Sequence, residues 1–425
     1  MNTKFRILCF CLISILVACG SKAGGSSLNP QASSTPQTQP THELIRMMSM
    51  APAEAAVIAP DGFLQMGYAD LRATELARPG VPLPARWADL DIHSTAFNLW
   101  YSNSFRLYYG LAPDLFSVLG FDEKLVDYYG LDFFEIDRTF YFGAPPQGGT
   151  IYSGHFDSQR IIQTLTARTY TLTESNGIPV LCGPVGCDKG LEPKNWLPDT
   201  KVDPRTMRHI GTYPIFDGSA GRQQPLALPP GVILTSGDWN QINQMTAATA
   251  GLADSLYTVP EFRAVADFAA TDIPLIQVLF YMPVYSAVPA DTETLPPYKL
   301  GALVDQQIGA DQVYRIVLVY PTEAEAQQAA AEVSRRIPAY LDALALLPGN
   351  DIPRFKGLLA SYKLDEPQVV HHAATNLWLA VATVRVPLPD NNLNPETKSY
   401  EPSGSLILYL SGMSHDYFTP AMLSP

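Results

Sequence analysis

The chain has 425 residues, and its hydrophobic content of 47% is ordinary for a globular protein and too high for a disordered one. Asp and Glu outnumber Lys and Arg by 41 to 28, giving a formal charge of −13. That balance argues against nucleic acid, whose phosphates call for a basic footprint, and against anionic lipid held through a basic face. Charged residues make up only 16% while Pro reaches 37 and Tyr 21, a composition suited to a sheet-rich, loop-rich body outside the cytosol.

The chain opens with Lys4 and Arg6, an apolar run from Ile7 to Val17 of 11 residues, and then Ala18-Cys19-Gly20. A basic start, a short apolar core and a small residue before the break form a secretory signal over residues 1–18. The run is about half the ~20 residues that span a bilayer. Leu16-Val17-Ala18-Cys19 resembles the lipobox of bacterial prolipoproteins. That resemblance implies cleavage before Cys19, a diacylglycerol on its sulfur and acylation of its amine. The bland alternative is an ordinary signal peptide with a cysteine by chance. Stable anchoring takes more than one acyl chain, and the resemblance supplies two or three. In enteric members of the family an Asp after the cysteine marks retention in the inner membrane. Gly20 carries no such mark, so the resemblance favours the outer membrane, or the outer face of a one-membrane cell. Residues 20–40 are Gly, Ser, Thr, Pro and Gln with little that is apolar, and they read as a flexible tether reaching about 25 Å.

The body is expected as two α+β units, residues 41–271 and 272–425. A short helix lies in 41–60 and a strand over Gly62–Tyr68. Phe97, Trp100, Tyr101, Phe105, Tyr108 and Tyr109 recur at helical steps, and Leu115, Phe116, Leu119 and Phe121 follow as a second stripe. These make residues 97–142 mainly helical, with the aromatics packed in a core or lining a groove. Thr150–Ser153 reads as a strand, Asp157 as the cap of a helix carrying Ile161, Ile162 and Leu165, and Tyr170–Thr173 and Ile178–Cys182 as strands about a Ser175-Asn176-Gly177 turn. Cys182 and Cys187, an isolated pair around a Gly-Pro-Val-Gly turn, are expected to close as a disulfide in an oxidising compartment. Residues 183–230 read as a long surface excursion.

Further along, Gly231–Thr235 is a strand, followed by a helix capped by Ser236 that carries Trp239, Ile242 and Met245 and ends at Gly251. Another helix begins at Thr258, with Pro260 in its first turn and Glu261 in capping-box position. Ile273–Met282 is a strand. Val313–Tyr320 is a strand too, and Thr322-x-x-Glu325 opens a helix to about Leu346 that Pro338 should kink or split. Strands near 360–364, 369–372, 377–386 and 405–410 complete the chain. The order strand, helix, strand, strand thus occurs twice, over Thr150–Cys182 and Val313–Val386, and predicts an α+β fold of duplicated β-α-β-β units with antiparallel sheets. With its lipobox, tether and loop-rich insert, the layout resembles uncharacterised bacterial envelope lipoproteins, a likeness that carries no activity with it.

Common catalytic signatures are missing from the sequence: no G-x-S-x-G, S-x-x-K, H-E-x-x-H, phosphate-binding glycine loop or haem motif occurs. Asp89-Leu-Asp91-Ile-His93 would share one face only on a strand, and its neighbours favour a helix or loop. His155 and Asp157 stand at a strand-to-helix junction where capping is the simpler role. His371 and His372 are adjacent on a strand and face opposite sides, and His415-Asp416 lies near the end of the chain. No catalytic residue, metal or cofactor is assigned. The expected function is that of a membrane-anchored extracytoplasmic lipoprotein, held through Cys19, that binds an envelope protein or small ligand without catalysis. The insert or the opposite sheet face is the expected meeting surface. The alternatives are the substrate-binding lipoprotein of an ABC importer and an extracytoplasmic hydrolase with dispersed residues.

Overall fold

The structure, a computed structural model, describes residues 42–57, 66–73, 86–89, 91, 94, 107, 112, 125–143, 148–188, 202–203, 208–209, 224–281, 295–345 and 362–387. Cys19, the tether, the aromatic stripes of 97–121 (apart from Leu107 and Ala112), His93, the strand at 405–410 and His415-Asp416 lie outside the described residues.

One antiparallel sheet organises the fold. Its strands in chain order are β1 (Met66–Asp70), β2 (Ile136–Phe142), β3 (Gly149–Gly154), β4 (Thr171–Ser175), β5 (Ile178–Cys182), β8 (Leu226–Ala227), β9 (Val232–Ser236), β10 (Leu275–Tyr281), β11 (Leu300–Ile308), β12 (Asp311–Tyr320), β13 (Lys363–Leu364), β14 (Gln368–His372) and β15 (Leu377–Pro387). In space they run β13-β15-β12-β11-β10-β1-β2-β3-β9-β8-β5-β4, with β14 also on β15. A separate short ribbon joins β6 (Val202–Asp203) to β7 (Arg208–His209). The sheet runs through both expected units, because β10 of the second pairs with β1 of the first.

Helices cover both faces. On one face lie α1 (Glu43–Met48), α4 (Trp239–Thr249) and α5 (Pro260–Ala269), packed on Tyr68, Phe140, Leu234, Val278, Val304 and Val317. On the other, α2 (Leu125–Tyr129) and α3 (Ser158–Ala167) cover β3 and β9, while α6 (Glu323–Ala345) covers β12 and β15. Sheet positions therefore alternate between two dry layers rather than between a core and water. Phe140 and Ile151 face one layer, and Tyr152 and Ile161 meet in the other.

Several local expectations hold because short-range chemistry sets them. The Asp157 side chain accepts from the amides of Gln159 and Arg160 at 3.1 Å, and Ile161 and Leu165 of α3 are fully buried, with Ile162 half-buried. Asn176 and Gly177 take φ of 51° and 78°, the backbone that turns β4 tightly into β5. Gly251, at φ 70°, ends α4 with its amide on Ala248 O and the Leu252 amide on Ala247 O, a Schellman closure. The Thr322 hydroxyl accepts from the Glu325 amide and bonds its carboxylate at the start of α6.

Other expectations are corrected. Residues 97–142 are not mainly helical in their last part, since Ile136–Phe142 is β2. Its burial on both faces removes the period-two signal. β11 is absent from the expected elements; its Asp305, Gln306 and Gln307 are polar residues that lie buried in the sheet. The excursion 183–230 is not wholly at the surface: Leu226 and Ala227 form β8, fully buried between β5 and β9. The cap of α4 is Asp238, which accepts from Asn240 N, while Ser236 donates to Gly148 O. Thr258 belongs to a 3-10 turn, α5 starts at Pro260 without a side-chain cap, and Glu261 pairs instead with Lys299 at 2.8 Å. Pro338 does not split α6, which runs unbroken through it.

Cys182 and Cys187 stand at disulfide distance, with Cα atoms 4.8 Å apart. Among the described residues no helix is long and apolar enough to cross a membrane.

Candidate functional site

A cleft of about 380 Å³ opens where β1, β2 and β10 meet α1, lined by His42, Asp70, Arg72, Arg138 and the segment 271–275. Its floor is set by strand register. Asp70 ends β1 directly opposite Arg138 of β2. The Asp70 Oδ1 accepts from the backbone amides of Arg72 and Ala73, both at 2.9 Å, which turns the chain off the sheet. Its Oδ2 accepts from Arg138 Nε at 2.7 Å and from the Tyr68 hydroxyl at 3.4 Å. Burial works against the charge on Arg138, but Asp70 and the neighbouring Tyr68 outweigh it and raise the pKa of the guanidinium. Burial likewise pushes the Tyr68 hydroxyl well above its ordinary value, with Asp70 adding to the effect.

Around this pair stands a wider ring of charge. Glu43, in the first turn of α1, holds Arg46 at 2.8 Å and accepts from the Ser153 hydroxyl at 3.0 Å. Burial would raise its pKa, yet Arg46 and Ser153 prevail and lower it. Across the sheet, Arg72 Nε lies 2.6 Å from Asp137 Oδ1, at ion-pair distance but without hydrogen-bond alignment. His155 Nε2 lies 3.5 Å from Asp137 Oδ2. Burial raises the pKa of Asp137 in spite of Arg72, His155 and Arg138.

His42 caps α1, its Nδ1 accepting from Leu44 N at 3.2 Å. An accepting Nδ1 places the proton of the neutral ring on Nε2. Burial lowers the pKa of His42, Asp70 opposing and Arg138 assisting. The folded chain thus resists a proton that the unfolded chain takes near pH 6.5, so stability is full above that pH and declines as pH falls through it. His42→Asn keeps a capping acceptor and should flatten the fall of the urea midpoint in the window below about pH 6.5. A wild-type midpoint that is level across that window would refute this account of His42.

The cleft offers donors and acceptors of both signs to a polar ligand. Its hydroxyl, Thr271, is already engaged by Ile273 N and Gln306 Nε2, each at 3.3 Å, rather than poised beside His42. The arrangement therefore suits binding better than nucleophilic attack.

The singled-out residues do not converge on it, except that His155 reaches its outer ring. Asp157 is a helix cap. Asp89 sits in a 3-10 turn and pairs with Arg86 at 2.9 Å. His371 stacks on Trp378 at 4.4 Å between ring centres. His372 turns the other way, its Nδ1 on Thr375 Oγ1 at 2.8 Å and its Nε2 on Asp267 Oδ2 at 3.0 Å. Asp267 also accepts from the Tyr257 hydroxyl at 2.8 Å, so this chain of bonds braces the β14–β15 turn against α5. Among the described residues no three His, Cys, Asp or Glu side chains gather closely enough to hold a metal ion. Sequence reasoning missed His42, Asp70, Arg72 and Arg138. An Asp closing an apolar strand was visible, but its Arg partner lies 68 residues away.

No family model matches the chain, and no curated protein matches it. Crystal structures of TP0453, a Treponema protein, in forms I, III and IV are similar at 8% identity, with TM-scores of 0.31, 0.31 and 0.30. Each comparison covers 84% of this chain and 96–97% of the other. TM-scores this low carry neither fold detail nor function across.

Proposed function

We propose that this protein is a lipid-anchored extracytoplasmic lipoprotein that binds a polar ligand or an envelope partner and does no chemistry on it. The observation that carries the proposal is Leu16-Val17-Ala18-Cys19 behind a basic and apolar leader. Cleavage there leaves Cys19 to take acyl chains, each buried methylene contributing about 0.8 kcal/mol of membrane affinity. His42, which follows closely on the tether in the sequence, lines the cleft, so the binding site would stand close to where the anchor joins. A cysteine pair at disulfide distance fits an oxidising compartment. The cell envelope is thus the expected location, and neither nucleic acid nor cofactor is called for.

The two β-α-β-β runs are best read as a duplication. In each, the strand that follows the helix lies at an outer end of the sheet, β4 at one end and β13 at the other, where β14 also pairs with β15. The chain then returns inward, through β5 in the first run and β15 in the second.

Cys19→Ala should move the protein from the membrane pellet to the soluble fraction, or leave an unprocessed precursor. Intact mass should show acyl chains on the wild type. A mature terminus elsewhere, with no acyl mass, would sink the anchor. Pull-down of the lipidated protein from native membranes then identifies the partner.

A further inference from the structure

Among the described residues the sheet ends on β4, and the register fixes the chemistry of that edge. Ser175 stands opposite Ile178 across the two-residue turn Asn176-Gly177. In such a hairpin the closing pair exchanges both backbone bonds, so Thr171, Thr173 and Ser175 direct their amides and carbonyls toward β5. Pro179 provides a check on this register. It sits opposite Glu174, has no N–H to give, and its carbonyl accepts from Leu228 N on the far side at 2.9 Å. By alternation, the N–H and C=O groups of Leu172 and Glu174 point out of the sheet.

Residues 171–174 are all exposed, Leu172 by 50%. The strand carries one charge, Glu174, and no Lys, Pro or bulge of the kind that blunts an edge.

We propose that β4 pairs antiparallel with β4 of a second copy of this chain, about a two-fold axis through Thr173. Leu172 of each copy then exchanges both backbone bonds with Glu174 of the other. Thr173 faces its own equivalent in a non-hydrogen-bonded pair, where Cα atoms approach to about 4.5 Å. Pairs of threonines are favourable there, and the two Leu172 side chains come within diagonal reach. Competing registers are worse. Centring on Glu174 sets two carboxylates face to face, and centring on Leu172 sets Glu174 against Tyr170, which is buried and outside the strand. Pairing β4 with the opposite edge of the sheet would propagate into a filament, whereas two-fold pairing closes. A five-residue strand buries less than the roughly 1,200 Å² of a standard interface, so the dimer is weak in dilute solution and is favoured by crowding on a surface.

The test uses the full chain with Thr173→Cys, oxidised by diamide and confirmed folded by circular dichroism. An interchain disulfide mapped by mass spectrometry to position 173 in both chains is the expected result. Thr171→Cys should not link to itself, because the register places its equivalent on the far side of the axis. Adding Leu172→Pro to Thr173→Cys removes an outward N–H while sparing the ladder to β5, and should lower the yield about tenfold. Folded Thr173→Cys protein that forms no link would overturn the proposal. So would equal linking at Thr171→Cys, or linking that Leu172→Pro leaves unchanged.

Discussion

Asp70→Ala should destabilise the fold by about 3 kcal/mol, seen as a lower urea midpoint with an unchanged slope. The carboxylate is nearly buried and accepts from two backbone amides, the Arg138 guanidinium and the Tyr68 hydroxyl. Truncation leaves a half-buried positive charge without its counterion and two amides without an acceptor. Breaking a buried pair in this way costs about 3–5 kcal/mol, and the low end applies because the Arg138 side chain keeps 23% exposure. Asp70→Asn retains an acceptor for the two amides and should cost less. Arg138→Met added to Asp70→Ala removes the stranded charge, so the double variant should be more stable than the sum of the single losses, by about 0.5–3 kcal/mol. Simple additivity, or a loss below 1 kcal/mol for Asp70→Ala, would show that the pair is not the keystone of the cleft.

Phe140→Ala should cost about 3–5 kcal/mol. Phe140 is fully buried at the centre of β2, paired with Tyr68 on one side and Ile151 on the other, with its ring 6.4 Å from that of Phe142. Removing the ring loses both its transfer from water and the contacts of its neighbours, which the surrounding strands are too constrained to restore. Phe140→Leu keeps most of the volume and should cost clearly less. Leu172→Ala, on the exposed edge of β4, should stay within about 0.5 kcal/mol of wild type. Equal losses at positions 140 and 172 would contradict the burial that separates them.

The sequence by itself determined the features set within a few residues of chain. The Asp157 cap, the Asn176-Gly177 turn, the Gly251 stop and the Thr322 start of α6 each depend on a side chain or φ acting on its near neighbours. For the same reason the apolar stripe of α3 and the β-branched run of β12 were legible without a structure. Tertiary structure alone decided what depends on partners far along the chain. β2 and β11 are strands between two packed layers, so no exposed face remained to mark the alternation, and Asp305, Gln306 and Gln307 found their burial only through sheet neighbours. β8 is two residues long and exists because β5 and β9 flank it. The cleft is the extreme case. His42, Asp70 and Arg138 come from a helix cap, a strand end and the strand beside it, and only non-local pairing sets a carboxylate against the one guanidinium that balances it.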